Sequence, residues 1–350
     1  MGIEDGAICP VPLAHAERIV MGHGSGGKMS HDLVSRLFVP YFDNPVLRQG
    51  DDAGSVRLES GQRLAISTDS HVVKPLFFPG GDIGRLSICG TVNDVAMLGA
   101  EPAYLTAGFI LEEGLEMALL ERVAASMQAA AQEAGVQIVA GDTKVVERGK
   151  ADGLYITTTG VGVIPAGREI GGAQARPGDV VILSGPIGDH GMAVLAARGE
   201  LGFEVDVESD IAPLNGLIAA MLATGAMIHV LRDPTRGGLA TTLNEIAMQS
   251  GVSIWLEEAS IPVRPQVAAI CEVLGFDPLY VANEGKLVAI LPVQEAGRVL
   301  EAMRRRRYGE GAVQIGQVLA DSPGRVLMKT RLGSTRVVDR LAGELLPRIC

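Results

Sequence analysis

Paired cysteines, a basic surplus and long apolar runs are all missing from this sequence, and each absence removes a class of function. The four cysteines, Cys9, Cys89, Cys271 and Cys350, lie far apart with no C-x-x-C pair. That spacing suits neither zinc nor a disulfide framework and points to a reducing cytoplasm. Lys and Arg number 30 against 41 Asp and Glu, a formal charge of −11, with a pI near 5.1. Phosphate backbones are held by basic stripes, so no nucleic-acid partner is expected. No apolar run approaches the roughly 18 to 20 residues that span a bilayer. The opening MGIEDGAICP is acidic where a signal peptide is basic, with no apolar segment behind it, so neither membrane insertion nor secretion is expected.

What is present suits a two-domain enzyme. At 350 residues the chain exceeds the size at which one core usually stops growing. With 47% hydrophobic and 20% charged residues, disorder is expected only at the ends. The 45 glycines are nearly twice the usual share of roughly 7% and fall in turns rather than in a repeat. After an irregular lead-in, GHGSGGK precedes KMSHDLVSRLF, in which Met29, Leu33, Leu37 and Phe38 share one helical face. LAISTD, AYLTAGFIL, VQIVAGDTKVV and LYITTTGVGVI read as strands, with helices at IGRLSICGTVNDVAML and LEMALLERVAASMQAAAQEAG. This order predicts an α+β layer with helices on one sheet. Gly, Pro and charge in REIGGAQARPGDVV mark a boundary near residue 170, beyond which a second α+β unit repeats the alternation. The expected division is a lead-in with glycine loop and helix to residue 40, an N-terminal domain over 41–170, a C-terminal domain over 171–335 and a mobile tail over 336–350.

Gly22-His23-Gly24-Ser25-Gly26-Gly27-Lys28 fits a phosphate-binding expression, but Met29 stands where a P-loop needs Ser or Thr for magnesium. The dinucleotide expression fits no better, since its downstream acidic strand end is not evident. Two readings remain, a surface loop or one that folds over a phosphate with Lys28 and a helix N-terminus beside it. The acidic residues carry more: Asp51 and Asp52 in GDDA, Asp69 in STDS, Asn93 and Asp94 in TVNDVAML, and Asp142 in GDTK. Gathered carboxylates repel unless a cation joins them. Magnesium takes a few carboxylates plus nucleotide phosphates, so this set, with Lys74 and Lys144 near it, suits Mg-ATP. Gly141, Asp142 and Thr143 are expected at the nucleotide. Asp233-Pro234-Thr235-Arg236-Gly237-Gly238 opens a helix where Asp233 and Arg236 either cap or face a cleft. Asn283-Glu284-Gly285-Lys286 is either a charged turn or a functional loop.

The end of the sequence differs in kind. RVVDRLAGELLPRIC finishes on Cys350, and a terminal residue is hard to pack from both sides, so its thiol is expected to be accessible. Prenylation needs a cysteine fourth from the end and is excluded. Arg348 favours the thiolate and the α-carboxylate opposes it. Pro347 interrupts the preceding helical pattern, and five extended residues reach about 17 Å, enough to enter a cleft.

With Pro347-Arg348-Ile349-Cys350 at the end and GDDA, STDSHVV, NDVAMLGAEP, AGDTKVV, DPTRGG and NEGK upstream, the chain resembles the HypE family of hydrogenase maturation proteins, which are carbamoyl dehydratases. The upstream motifs are similar to those of the wider group of aminoimidazole ribonucleotide synthetase, thiamine monophosphate kinase and selenophosphate synthetase. Selenophosphate synthetases carry Cys or selenocysteine in the glycine loop, and this loop has neither. The resemblance implies a PurM-like two-domain fold whose N-terminal sheet pairs across a homodimer, with a C-terminal α/β sandwich and a nucleotide groove touching both subunits' edges. It implies that a carbamoyltransferase, HypF, loads Cys350. The enzyme would then dehydrate the thiocarboxamide to a thiocyanate for a HypC–HypD scaffold, with Lys144 or Glu284 as the base. Two other classes stay open: a small-molecule kinase using the same groove, and an adaptor whose terminal peptide is captured by a partner.

Overall fold

The computed structural model describes residues 18–199, 205–341, 346 and 348–350. Cys9, the opening ten residues and Pro347, all considered above, lie outside them. Behind the glycine loop, α1 (Lys28–Leu33), a π-helical stretch (Val34–Phe38) and α2 (Val39–Phe42) run on continuously. The wide π turns break the 3.6-residue period on which the expected apolar face rests. Leu37 and Phe38 are accordingly exposed rather than packed.

The N-terminal unit is built on β1 (Gly54–Arg57), β2 (Arg63–His71), β5 (Glu101–Glu112), β6 (Gln137–Val146) and β7 (Leu154–Ile164). A small hairpin of β3 (Phe77–Phe78) and β4 (Gly81–Asp82) precedes α3 (Ile83–Met97), and α4 (Met117–Ala134) links β5 to β6. The sheet order is β1-β2-β7-β5-β6, antiparallel except for the β5–β6 pair. β2 shows the period of two that one covered face demands: Ala65, Ser67 and His71 are buried while Ile66, Thr68 and Ser70 are exposed. α3 obeys a different rule. Asp82 caps it through Gly84 N–H and Arg85 N–H at 2.7 and 3.1 Å, and almost every residue after the cap is buried. A helix apolar all round belongs between layers, and α3 packs Ile83, Leu86 and Ile88 toward the first sheet but Ala96 and Met97 into the second domain's core.

The C-terminal unit contains β8 (Asp179–Leu183), α5 (Asp189–Ala197), α6 (Asn215–Ala223), β9 (Val230–Arg232), α7 (Gly238–Ser250), β10 (Ser253–Glu257), α8 (Pro265–Leu274), β11 (Val288–Pro292), α9 (Ala296–Arg304), β12 (Val313–Leu319), β13 (Arg325–Lys329) and β14 (Thr335–Val338). Its seven-stranded sheet runs β14-β13-β10-β12-β8-β11-β9. β8 is buried on both faces, Val181 and Leu183 against the α7 side and Val180 and Ile182 against α6 and α9. That is why its sequence is a continuous apolar run rather than an alternation. The tail starts later than expected, because Thr335–Val338 pairs antiparallel with β13 and Val338 is buried. No helix among the described residues is long and apolar enough to cross a membrane.

Candidate active site

The residues that converge between the two sheets are acidic. Asp69 leaves the covered face of β2. Asp94 lies on α3, with its Oδ2 2.7 Å from the Ser67 hydroxyl. Asp52 sits in the loop before β1, Asp233 in the turn before α7 and Glu284 in the turn before β11. Gly285 lets that last turn close: a Cβ there would fall 1.7 Å from the Asp210 carbonyl oxygen. Asp210 clamps the same turn, accepting from Glu284 N–H and Lys286 Nζ, each at 3.0 Å.

These carboxyls feel one another. Burial, then the charges of Asp233, Asp52 and Asp69, push Asp94 well above the usual carboxylate range. Glu284 is pushed up by burial and by Asp233, Asp69 and Asp210, with Arg236 pulling the other way, and its Oε1 has no hydrogen-bond partner. Asp52 also rises through burial, although Arg232 Nε stands 2.7 Å from its Oδ1. A fold that concentrates acids in this way holds unfavourable charge until a cation arrives.

Asp233 gives a measurable consequence. Burial raises its carboxyl from 3.8 to about 6 against the pull of Arg232. Between those two values the folded chain keeps a proton that the unfolded chain has lost, so stability falls as pH rises through that window. Above it the whole cost is present. Asp233→Asn is therefore expected to raise the melting temperature at pH 7.5 by a few degrees, about 1–3 kcal/mol, and to change nothing below about pH 4. Calorimetry at the two pH values checks this; a pH-independent shift would refute the charge argument.

Cys350 is brought into the same cleft. The last residues are docked rather than loose: Ile349 forms an antiparallel bridge with Val73, with Val72 N–H donating to the Cys350 oxygen at 2.8 Å and Lys74 N–H to the Arg348 carbonyl at 3.3 Å. Arg348, expected beside the thiol, pairs instead with Asp152. The cation that acts on the sulfur is Arg236. Burial pushes the thiol up to about 12, Arg236 opposes this, and Glu284 and Asp69 reinforce it.

The other expected residues divide. Asp51 sits at the edge, accepting from Gly172 N–H at 2.7 Å. Asn93, expected at the nucleotide, has its amide spent elsewhere: Nδ2 donates to the Ala212 carbonyl at 3.0 Å and Oδ1 accepts from Leu214 N–H at 2.8 Å. Lys74 is exposed and pairs with Asp152 at 3.1 Å. Lys28 is exposed as well, its backbone N–H bound to the Leu341 carbonyl at 2.9 Å. The glycine loop itself lies on the cleft, since a Cβ on Gly26, whose φ is +78°, would meet Arg236 Cβ at 2.6 Å. Gly141, Asp142, Thr143 and Lys144 do not join the cluster within one chain. Asp69 opposes Thr158, Thr158 opposes Ala107 and Ala107 opposes Gly141, which puts β6 three strands away, about 14 Å. There Asp142 pairs with Lys144 at 2.7 Å, both well exposed. One chain does not bring Asp51, Asp69, Asp94 and Asp142, the aspartates expected on magnesium, onto one ion: among the described residues no group of three His, Cys, Asp or Glu side chains could hold a metal. Asp69 and Asp94 still fit a magnesium ion that takes its remaining ligands from phosphates. Sequence reasoning missed Arg232 and His190, which carry no motif signal because their roles depend on long-range packing.

Comparison with known proteins places the fold in a family. The AIR synthase related protein N-terminal domain matches residues 50–164 and its C-terminal domain residues 176–329, so fold and site define a PurM-like two-domain protein. Carbamoyl dehydratase HypE of Cupriavidus necator is 59% identical over 333 residues, 95% of each chain. A crystal structure of hydrogenase maturation protein HypE in complex with ATP superposes with a TM-score of 0.80 at 52% identity, covering 95% of this chain and all of that one. HypE in a HypE–HypF complex gives 0.84 at 49% identity over 88% of this chain and 99% of that chain. The chain belongs to the HypE carbamoyl dehydratase family.

Proposed function

We propose that this chain serves hydrogenase maturation by dehydrating an S-carbamoyl group on Cys350 at the expense of ATP. The observation that carries this reading is the placement of the Cys350 sulfur beside Arg236, Glu284 and Asp69 in the acid-lined cleft. A thiol held neutral is a poor nucleophile at pH 7. Loading by a HypF-type carbamoyltransferase therefore belongs to the undocked tail, and the docked pose to the group already loaded.

In the docked pose the carboxamide oxygen attacks the γ-phosphorus, an O–P bond forming as the bond to ADP breaks and one nitrogen proton leaves. Loss of the second nitrogen proton then forms C≡N and breaks the C–O bond, releasing phosphate and leaving a thiocyanate on sulfur for a HypC–HypD acceptor. An amide oxygen leaves poorly, and phosphorylation removes that difficulty. A magnesium ion held by Asp69 and Asp94 would screen the triphosphate charge. Glu284 and Lys144 are the candidate bases. Glu284 can serve once Arg236 and a bound cation draw its proton off.

Lys144, with Gly141, Asp142 and Thr143, enters this reading from a second subunit. β6 is an edge strand whose residues are nearly all exposed, including Ile138, Val139 and Val145. Such edges are normally covered, and a homodimer pairing these sheets covers them.

Intact-protein mass spectrometry after incubation with the carbamoyltransferase, carbamoyl phosphate and ATP tests the proposal. The expected result is a carbamoyl adduct that loses one water only with ATP present and never forms on Cys350→Ala. ATP hydrolysis by an unmodified chain would favour the kinase instead.

A further inference from the structure

The tail is held carbonyl by carbonyl, and one of its three holds comes from a side chain with no other evident task. His190, the second residue of α5, is fully buried. Its Nδ1 lies 2.8 Å from the Ser209 hydroxyl and its Nε2 2.6 Å from the Ile349 carbonyl oxygen. The Phe78 ring meets it edge-on, with centroids 5.7 Å apart at 78°, which fixes the plane of the imidazole.

Its tautomer follows from the neighbours. The Ile349 carbonyl oxygen can only accept, so Nε2 carries the ring hydrogen and donates to it. His190 Nδ1 is left to accept from the Ser209 hydroxyl, whose oxygen in turn accepts from Ile211 N–H at 3.3 Å. Burial keeps the imidazole neutral against the pull of Asp210 and the Ile349 carbonyl. Ser209 is itself fixed by its N–H to the Pro79 carbonyl at 2.8 Å.

We propose that His190 is a positioning residue for Cys350: its Nε2–H, with Ser209 on the other ring nitrogen, grips the Ile349 carbonyl and so fixes the adjacent sulfur in the acid-lined cleft. Flanking contacts share the load but select less. Arg348 O accepts from Lys74 N–H and Arg198 Nη2, the latter at 2.9 Å, and Arg198 also serves the Lys74 carbonyl at 3.0 Å. Ile349 contributes apolar packing against Val73 and Phe78. Among the described residues, the hydrogen bond from His190 is the directed contact on Ile349 that comes from the C-terminal domain.

The proposal rests on Cys350 as substrate carrier only for its catalytic meaning, and its first test does not depend on that reading. Site-resolved mass spectrometry would follow iodoacetamide alkylation of Cys350 in the full chain. His190→Leu removes the donor and is expected to speed alkylation about tenfold, while His190→Gln, whose amide nitrogen can replace Nε2, returns it close to the original rate. Unchanged alkylation in a folded His190→Leu, or Gln behaving like Leu, would overturn the assignment. Should His190→Leu fail to fold, Ser209→Ala loses only the hydroxyl that donates to Nδ1 and holds the ring, and is expected to give about a two- to threefold increase; no increase there overturns it equally. In the coupled assay His190→Leu should leave carbamoyl loading intact and slow the ATP-dependent loss of water. If alkylation responds as expected but no water is ever lost by any variant or the unaltered chain, the grip stands and the dehydratase reading falls.

Discussion

With Lys144 as the base, Lys144→Ala and Cys350→Ala chains, each inactive alone, are expected to recover about a quarter of full turnover when mixed in equal amounts and allowed to exchange subunits. The expectation follows from strand register. Asp69 and Gly141 are joined across Thr158 and Ala107, so the lysine two positions beyond Asp142 cannot reach the Cys350 cleft of its own chain. If it acts at all, it acts across a two-fold axis. Half the dimers in such a mixture are hybrids, and each hybrid has one site with cysteine from one chain and lysine from the other. That arithmetic gives about a quarter. No recovery in a mixture shown to contain hybrids would place both groups in one chain and contradict the cross-axis site.

The largest expected change in stability is at Arg232. It is buried, with Nε 2.7 Å from Asp52 and Nη2 2.7 Å from Glu245, and Asp233 and Asp51 add their charges to its surroundings. Removing one partner of a buried ionic network leaves the others desolvated and uncompensated. Arg232→Met is expected to cost about 3–5 kcal/mol in denaturant unfolding at pH 7.5. Adding Asp52→Asn should restore part of that loss, because the two sites are coupled. A single-mutant cost below about 1 kcal/mol would mean that Asp52 is protonated and Arg232 is not its counter-ion.

Much of the framework is visible in the sequence for physical reasons. β2 and β7 alternate because one face of their sheet is covered, and the apolar run of β8 marks a strand enclosed on both faces. The acids of STDS, NDVAML, DPTRGG and NEGK do meet. What the sequence did not disclose is which of them meet within one chain. Asp142 and Asp69 carry the same local signature, a carboxylate on a strand, and only the order of strands in the sheet separates them. Asn93 shows the same limit. A buried amide beside a functional aspartate looks like part of the site until its partners, Ala212 and Leu214, are known. The last four residues of the chain signal chemistry, but not that β14 runs to Val338 or that Val72 and Lys74 receive Arg348 and Cys350.

The Asn93 joint limits how the molecule can move. Asn93 ties α3 to residues 212 and 214 with both ends of its amide, and the next residue on the helix is Asp94. The element that presents a carboxylate to the ligand is thus bolted to the opposite domain, and a hinge opening between the domains would have to tear the site apart. Such a body should unfold as a single calorimetric unit and offer its ligands a rigid vessel. The part of that vessel built to come and go is residues 348–350, held by a handful of separable hydrogen bonds.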